Sequence, residues 1–300
     1  MTIKLFGENS SERQKRIKKD SPFQSLKSWN LIRLIIKTND NLKQEQFAMQ
    51  LVSQFNQIFQ KEKLKLQLTP YEVISIGHDC GIIEMVENTV TFDKLKHTIY
   101  HEFPKIKGLG DFFKAYFGKK RIKKARSNFC QSLAAYSLVC YFLQLKDRHN
   151  GNILFKNDGS IVHIDFGFFL SNSPGKGIEL EKLVPFKFIS DYVDILGGVD
   201  SKYFKKFRVY FLKGFKAAKK HQESIITLVK MMYTSHGEEL PCFEGGERCV
   251  EELELRFNPE RVRDIGDLNI YIQNMINESL DNYRTRWYDK FQYYLQGIFY

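Results

Sequence analysis

The sequence predicts an α+β fold in two lobes, a small β-rich one over residues 1–86 and a larger, mainly helical one over residues 87–300. Three observations carry this. Short β-branched or apolar runs separated by polar turns lie mostly ahead of residue 87, apolar residues recur at helical spacing from about Phe92 onward, and a tight hairpin at residues 153–164 is the chief β interruption of the second half. With 300 residues and 43% hydrophobic content the chain can bury a core of that size, and no repeat or Pro/Gly/Ser-rich linker divides it into independent modules.

Taken in order, "WNLIRLIIK" at residues 29–37 reads as a strand and residues 38–41 as a polar turn. Ala48, Leu51, Val52, Phe55, Ile58 and Phe59 then recur on one face of a helix, and Glu45 continues that face by steps of three and four. An inward carboxylate is costly without a partner, and Lys37 on the preceding strand is the candidate. Residues 71–76 read as a second strand, "GHDCG" as a turn and residues 82–86 as the strand leading out of the first lobe. Residues 127–145 are apolar nearly all round, which marks a buried central helix. Leu268, Ile272, Met275, Leu280, Tyr283, Trp287, Phe291, Leu295 and Ile298 form a stripe through one or two terminal helices, read mainly as core packing. Tyr293, Tyr294, Phe299 and Tyr300 at its end suit a lipid interface as the alternative.

The hairpin carries the chemistry. In "KDRHNGNILFKNDGSIVHIDFG", residues 153–155 and 161–164 are the strands and Asn157, Asp158 and Gly159 the turn. Folding there brings Asn152 and Asp165 side by side at the open end, with Asp147 and His149 on the loop leading in. A carboxylate beside an amide oxygen suits a hard cation such as Mg²⁺, which takes its other ligands from water and phosphate. His163, between two apolar residues on a strand, reads as a structural histidine, whereas His149 in a polar loop reads as a candidate functional residue.

Lys plus Arg number 46 against 35 Asp plus Glu, a net charge of +11 that favours an anionic partner without choosing among nucleic acid, phosphorylated substrate and membrane surface. The run "GKKRIKKAR" at residues 118–126 reads first as a solvated helix start and second as a lipid-attracting patch. Five cysteines, odd in number and without CxxC spacing, point to a reduced intracellular setting and to no zinc site. The N-terminus lacks the apolar core of a signal peptide, and no run approaches the roughly 18 apolar residues of a membrane span. Any membrane contact is expected to be peripheral.

A strand Lys, a helix Glu, a catalytic loop with Asp and Asn, and Asp-Phe-Gly are the parts of a phosphoryl-transfer site. The order Asp-Arg-His in "DRHNGNIL", followed by "HIDFGF", resembles the phosphatidylinositol 3- and 4-kinase family and its protein-kinase relatives. "SLAAYSLVCYFLQLKDRHNGNIL", "IDFGFFLSNSP", "PFKFISDYVDILGG" and "LPCF" look like the type III phosphatidylinositol 4-kinases, the beta form most closely, over residues 13–300. The resemblance implies a protein-kinase-like fold and ATP-dependent phosphorylation of the 4-hydroxyl of phosphatidylinositol. Lys37 would bind ATP phosphate, held by Glu45. Glu84, Met85 and Val86 would form the hinge that meets adenine, and amides near Ser21 and Phe23 would cover the phosphates. Asn152 and Asp165 would hold Mg²⁺ or Mn²⁺, and Asp147 and His149 would handle the lipid hydroxyl's proton, either one serving as base. Lys176, Lys182 and Lys187 would lie on the substrate-facing activation segment. The resemblance further implies a cytoplasmic protein peripheral on Golgi or other endomembranes, with an anionic membrane surface and protein adaptors as partners and no nucleic acid.

Two departures stand out. The family's Gly-Asp-Asp-Leu-Arg-Gln-Glu is "NDNLKQE" here, and the phosphate-covering turn "DSPFQS" at residues 20–25 has no glycine, so slower turnover is expected. A protein kinase and a scaffold without catalysis are the competing readings; "PFKFISDYVDILGG" and the short C-terminus favour the lipid branch over the first, and intact Lys37, Asp147, Asn152 and Asp165 oppose the second.

Overall fold

The computed structural model of the protein describes residues 5–39, 41–174, 184–260 and 262–300. Its first element, helix α1 (Ser10–Lys19), escapes sequence patterning because it buries no residue; the Asn9 side chain caps it and Asn88 accepts from the Ser10 amide at 3.1 Å. Strand β1 (Leu34–Thr38) is shorter than the expected 29–37, because its partner ends at Glu84 opposite Leu34 and leaves residues 29–32 no ladder to join. Helix α2 (Lys43–Lys61) buries Phe47, Ala48, Leu51, Val52, Phe55 and Phe59 as its periodicity predicts, with Glu45 on the inward side. Strands β2 (Val73–Ser75) and β3 (Cys80–Glu84) complete an antiparallel sheet of order β1-β3-β2. Val73 and Ile83 pair on its buried face, while Leu34, Ile36 and Ile74 stand exposed on the other.

Strand β4 (Thr89–Thr91), too short to show in the sequence, pairs with the hairpin strands β5 (Ile153–Lys156) and β6 (Ile161–His163) in a second antiparallel sheet of order β4-β5-β6. Helices α3 (Phe92–Glu102) and α4 (Leu109–Leu143) fall between them in the chain. Gly118, at φ +60°, interrupts α4, and the stretch beyond Ala125 is buried almost without exception, as expected of the central helix. The hairpin turns at Gly159, where φ is +92° and a Cβ would stand 2.8 Å from that of Ala125. Only glycine meets both demands.

Helices α5 (Ser190–Leu196), α6 (Lys202–Lys220), α7 (Gln222–His236), α8 (Arg248–Phe257), α9 (Ile265–Ser279) and α10 (Tyr283–Gln296) follow among the described residues. Phe142 of α4 stacks on Phe257 of α8 at 4.3 Å between centroids and faces Phe55 of α2 at 5.8 Å, so one aromatic core runs from the first lobe into the second. The α+β class is as the sequence predicts. The terminal apolar stripe is not. Leu268, Ile272 and Met275 of α9 are buried, but α10 turns Tyr283, Trp287 and Leu295 outward and buries Thr285, Tyr288, Asp289 and Gln292.

Candidate active site

Between the sheets lies a cavity of about 430 Å³ lined by Lys37 and Glu45 from the first lobe, Glu84, Met85 and Val86 from the connection, and Asn152 and Asp165 from the hairpin. Ile35, Ile83, Val90, Leu154 and Ile164 supply its apolar walls.

Lys37 and Glu45 meet, Nζ to Oε2 at 4.0 Å. The buried Tyr71 hydroxyl donates to the other oxygen, Oε1, at 2.8 Å, so the inward carboxylate has a neutral donor as well as a cation. Burial, and then the neighbouring carboxylate, push the Tyr71 phenol well above its ordinary range and keep it a donor. At the connection the Met85 amide is already bonded to the Arg33 carbonyl at 2.9 Å, whereas the Val86 amide has no acceptor among the described residues.

The hairpin places the polar groups. Helix α4 ends with Gln144 in the left-handed region, and Asp147 and Asp165 both adopt φ +60°. For non-glycine residues such backbone costs on the order of 1 kcal/mol or more and persists only where surrounding contacts impose it. Those contacts come from residues that sequence reasoning missed. Buried Arg148 donates to the Lys146 and Ile164 carbonyls at 2.8 Å each and to that of Asp165, and its guanidinium covers the Phe166 ring at 5.5 Å. Buried Lys146 donates to the Leu170 carbonyl at 2.8 Å and to that of Asn172 at 2.6 Å. Gln44, beside Glu45, donates to the Phe166 and Gly167 carbonyls at 3.2 and 2.5 Å and accepts from the Cys242 amide at 2.8 Å. Together they clip the loop after Asp165 to the loop that carries Asp147 and to α2. The available signal was the pair of cations, Lys146 and Arg148, that flank the single acid Asp147 in this loop.

Asn152 donates Nδ2 to the Asp147 carbonyl at 3.0 Å and to Oδ2 at 3.3 Å, which leaves its own oxygen for a cation. Asp165 stands exposed at the mouth. Among the described residues no cluster of three or more His, Cys, Asp or Glu side chains encloses a metal. Two oxygen donors that leave the other positions to water and phosphate are what Mg²⁺ or Mn²⁺ accepts, so the residues present fit the ion. His149 accepts the Gly151 amide on Nδ1 at 3.1 Å, which assigns its proton to Nε2, 3.7 Å from Asp147 Oδ1. Burial, outweighing Asp147, holds its pKa below the usual histidine value, so the ring is neutral near pH 7.

Residues 31–243 match the family described as phosphatidylinositol 3- and 4-kinase. The chain belongs to that family. It is 41% identical over 299 residues to a phosphatidylinositol 4-kinase of Dictyostelium discoideum, 41% over 300 to phosphatidylinositol 4-kinase beta 2 of Arabidopsis thaliana and 38% over 291 to phosphatidylinositol 4-kinase beta of Danio rerio. These alignments take in 98%, 98% and 96% of this chain but 24%, 26% and 33% of the relatives, so the chain spans about a quarter to a third of their length.

Three expectations for this family member need correction or fall outside view. Lys187 does not face a substrate: its ammonium is buried against Asp289 of α10, 2.6 and 2.8 Å from the two carboxylate oxygens, because an isolated cation at that depth would be far costlier than a paired one. Ser21 and Phe23 do not line the cavity. Their amides are taken within the turn, Ser21 by the Lys18 carbonyl at 3.1 Å and Phe23 by the Ser21 hydroxyl at 3.2 Å, and the same hydroxyl accepts from Trp29 Nε1 at 3.0 Å. Lys176 and Lys182 lie outside the described residues. His163 is the structural residue its strand position suggests, buried and stacked on Tyr136 at 4.7 Å between centroids.

Proposed function

We propose that the chain is an ATP-dependent phosphatidylinositol 4-kinase domain, passing the γ-phosphoryl group to the 4-hydroxyl of phosphatidylinositol. The observation that carries the reading is the convergence of Lys37, Glu45, Asn152 and Asp165 on a single cavity whose connecting strand offers an open backbone amide at Val86. The apolar walls suit an adenine ring and the Val86 amide its acceptor edge. Lys37, oriented by Glu45, neutralises phosphate charge, while Asn152 and Asp165 would hold Mg²⁺ or Mn²⁺. That ion would supply charge neutralisation on the phosphates, and in-line positioning does the rest, since phosphoryl transfer needs little covalent help from a protein.

Of the two residues that could take the hydroxyl's proton, the hydrogen bonding favours Asp147. The Nδ1 lone pair of His149 is occupied by Gly151 and its Nε2 carries hydrogen, so neutral His149 is a donor toward the site rather than an acceptor. The names of the relatives support phosphatidylinositol as substrate. The charge of the segment after Asp165 supports the unphosphorylated lipid, because Lys176 and Lys182 are offset there by Glu179 and Glu181, and Lys187 is held by Asp289. A bisphosphorylated headgroup would lose hydration with few cations to replace it. Peripheral residence on Golgi or other endomembranes, with adaptors to recruit it, belongs to the same proposal. Among the described residues no helix is long and apolar enough to cross a membrane.

The test offers radiolabelled ATP with vesicles of phosphatidylinositol, with vesicles of its 4,5-bisphosphate and with a protein substrate, and identifies the headgroup product by chromatography. Phosphatidylinositol 4-phosphate is the expected product. Transfer only to protein, a 3-phosphate, or equal use of the bisphosphate would each overturn the assignment.

A further inference from the structure

The polar face that α10 buries is aimed at the catalytic loop. The Tyr288 hydroxyl donates to Asp147 Oδ1, Gln292 Nε2 donates to the Tyr288 hydroxyl at 2.6 Å, and the same Nε2 lies 3.4 Å from Asp147 Oδ1. Beyond the helix, the Phe299 carbonyl accepts from Asn150 Nδ2 at 3.0 Å and the Phe299 amide is bonded to Asp93 Oδ1 at 2.6 Å. The Lys187–Asp289 pair seats the helix itself.

Asp147 needs such support. It stands in a left-handed backbone conformation between a helix end and a short 3₁₀ turn, so no regular hydrogen-bond ladder sets the direction of its carboxylate. Asn152 contacts Oδ2 at the length of a weak bond, 3.3 Å, and His149 lies 3.7 Å from Oδ1. The charge-assisted bond from a phenol that is itself fixed by Gln292 engages Oδ1, and Oδ2 is the oxygen on the side of Asn152, which lines the cavity.

We propose that Tyr288, held by Gln292, is a positioning residue for the kinase reaction: it fixes the Asp147 carboxylate so that Oδ2 meets the acceptor hydroxyl. The inference rests on the phosphatidylinositol 4-kinase reading and on Asp147 as its base. Tyr288 does not line the cavity. Its loss misplaces a reacting group without weakening nucleotide binding.

The experiment compares the wild-type chain with Tyr288→Phe, Gln292→Leu and the double variant, measuring kcat and the KM for ATP with phosphatidylinositol vesicles, and the melting temperature of each. Tyr283→Phe, on the same helix and 60% exposed, is the control. Tyr288→Phe is expected to lower kcat by about ten- to a hundredfold, the scale of a small misplacement of a reacting group, with the ATP KM within about twofold of wild type. Gln292→Leu should fall in the same direction, and the double variant should fall by less than the product of the single losses, because both act through one carboxylate. Tyr283→Phe should match wild type. Full kcat in folded Tyr288→Phe and Gln292→Leu, or losses that follow melting temperature alone, would overturn the inference while leaving the kinase reading intact. A wild-type chain that transfers nothing to phosphatidylinositol would overturn both.

Discussion

Asp165 offers a carboxylate at the mouth of the cavity, and the change that isolates its charge is Asp165→Asn. Asparagine tolerates the left-handed backbone that Asp165 adopts, so the fold keeps its geometry while the site loses a full negative charge. Lipid phosphorylation is expected to fall at least about a thousandfold, several kcal/mol at 1.36 kcal/mol per decade, with unfolding free energy within about 1 kcal/mol of wild type. A folded Asp165→Asn chain working near the wild-type rate would show that the metal sits elsewhere. Lys37 and Glu45 pose a subtler case. At 4.0 Å, with Lys37 partly exposed and Tyr71 already bonded to the carboxylate, the pair should couple by only about 0.2–1 kcal/mol. Denaturant unfolding of Lys37→Met, Glu45→Gln and the double variant should reveal that coupling, and strictly additive effects would mean that the two groups do not interact in solution.

Elements are where the sequence was most and least readable. The α2 face and the β5–β6 hairpin were legible because a single period governs each, the buried part of α4 because it is apolar nearly all round, and the hairpin alone was enough to bring Asn152 and Asp165 together. Helix α1 was not legible, because it is polar on every side, and neither was β4, because three residues make no pattern. Helix α10 misled for a physical reason: apolarity marks the inward face only when the helix packs on apolar neighbours, and here its buried polar side chains meet the Asp147 carboxylate and the Lys187 ammonium. Hence two predictions. Lys187→Met leaves Asp289 buried without its cation and is expected to cost about 3–5 kcal/mol in denaturant unfolding, and Lys187→Met/Asp289→Leu should recover most of it; no recovery would mean that the pair is not the source of the loss. The contact of β6 with α4 sets an acid limit. Burial keeps His163 neutral and holds its pKa well below the usual value, whereas the unfolded chain gains that proton below about pH 6.5. The stabilisation is therefore complete above about pH 6.5 and is lost as pH falls from there toward the folded value. Melting temperature should drop between pH 7.5 and 5.5, and less steeply in His163→Phe, which keeps a ring against Tyr136; equal slopes would clear His163 of the effect.

The net charge of +11 is a property of the whole chain, and the fold decides where some of it gathers. Lys119, Lys120, Lys123 and Lys124 stand exposed on α4 just past the Gly118 break, while Arg121 lies over the Tyr116 and Phe117 rings. The Tyr203 hydroxyl donates to the Lys123 carbonyl at 3.3 Å and so brings the start of α6 alongside, adding exposed Lys202, Lys205 and Lys206. None of these residues lines the cavity, so their charge can be altered without touching the chemistry. Basic residues held at an anionic bilayer contribute about 1 kcal/mol each, and the attraction fades within a Debye length, about 10 Å at 0.1 M salt. If this surface meets the membrane, sedimentation with phosphatidylserine vesicles should fall steeply as salt rises from 0.1 to 0.5 M. Replacing Lys119, Lys120, Lys123 and Lys124 by Glu should then weaken binding at 0.1 M by about tenfold or more, while transfer to detergent-dispersed phosphatidylinositol stays at the wild-type rate. Unchanged vesicle binding in that variant would show the run to be a solvated helix face. A matching loss of transfer in detergent would place its effect on the active site instead of the membrane.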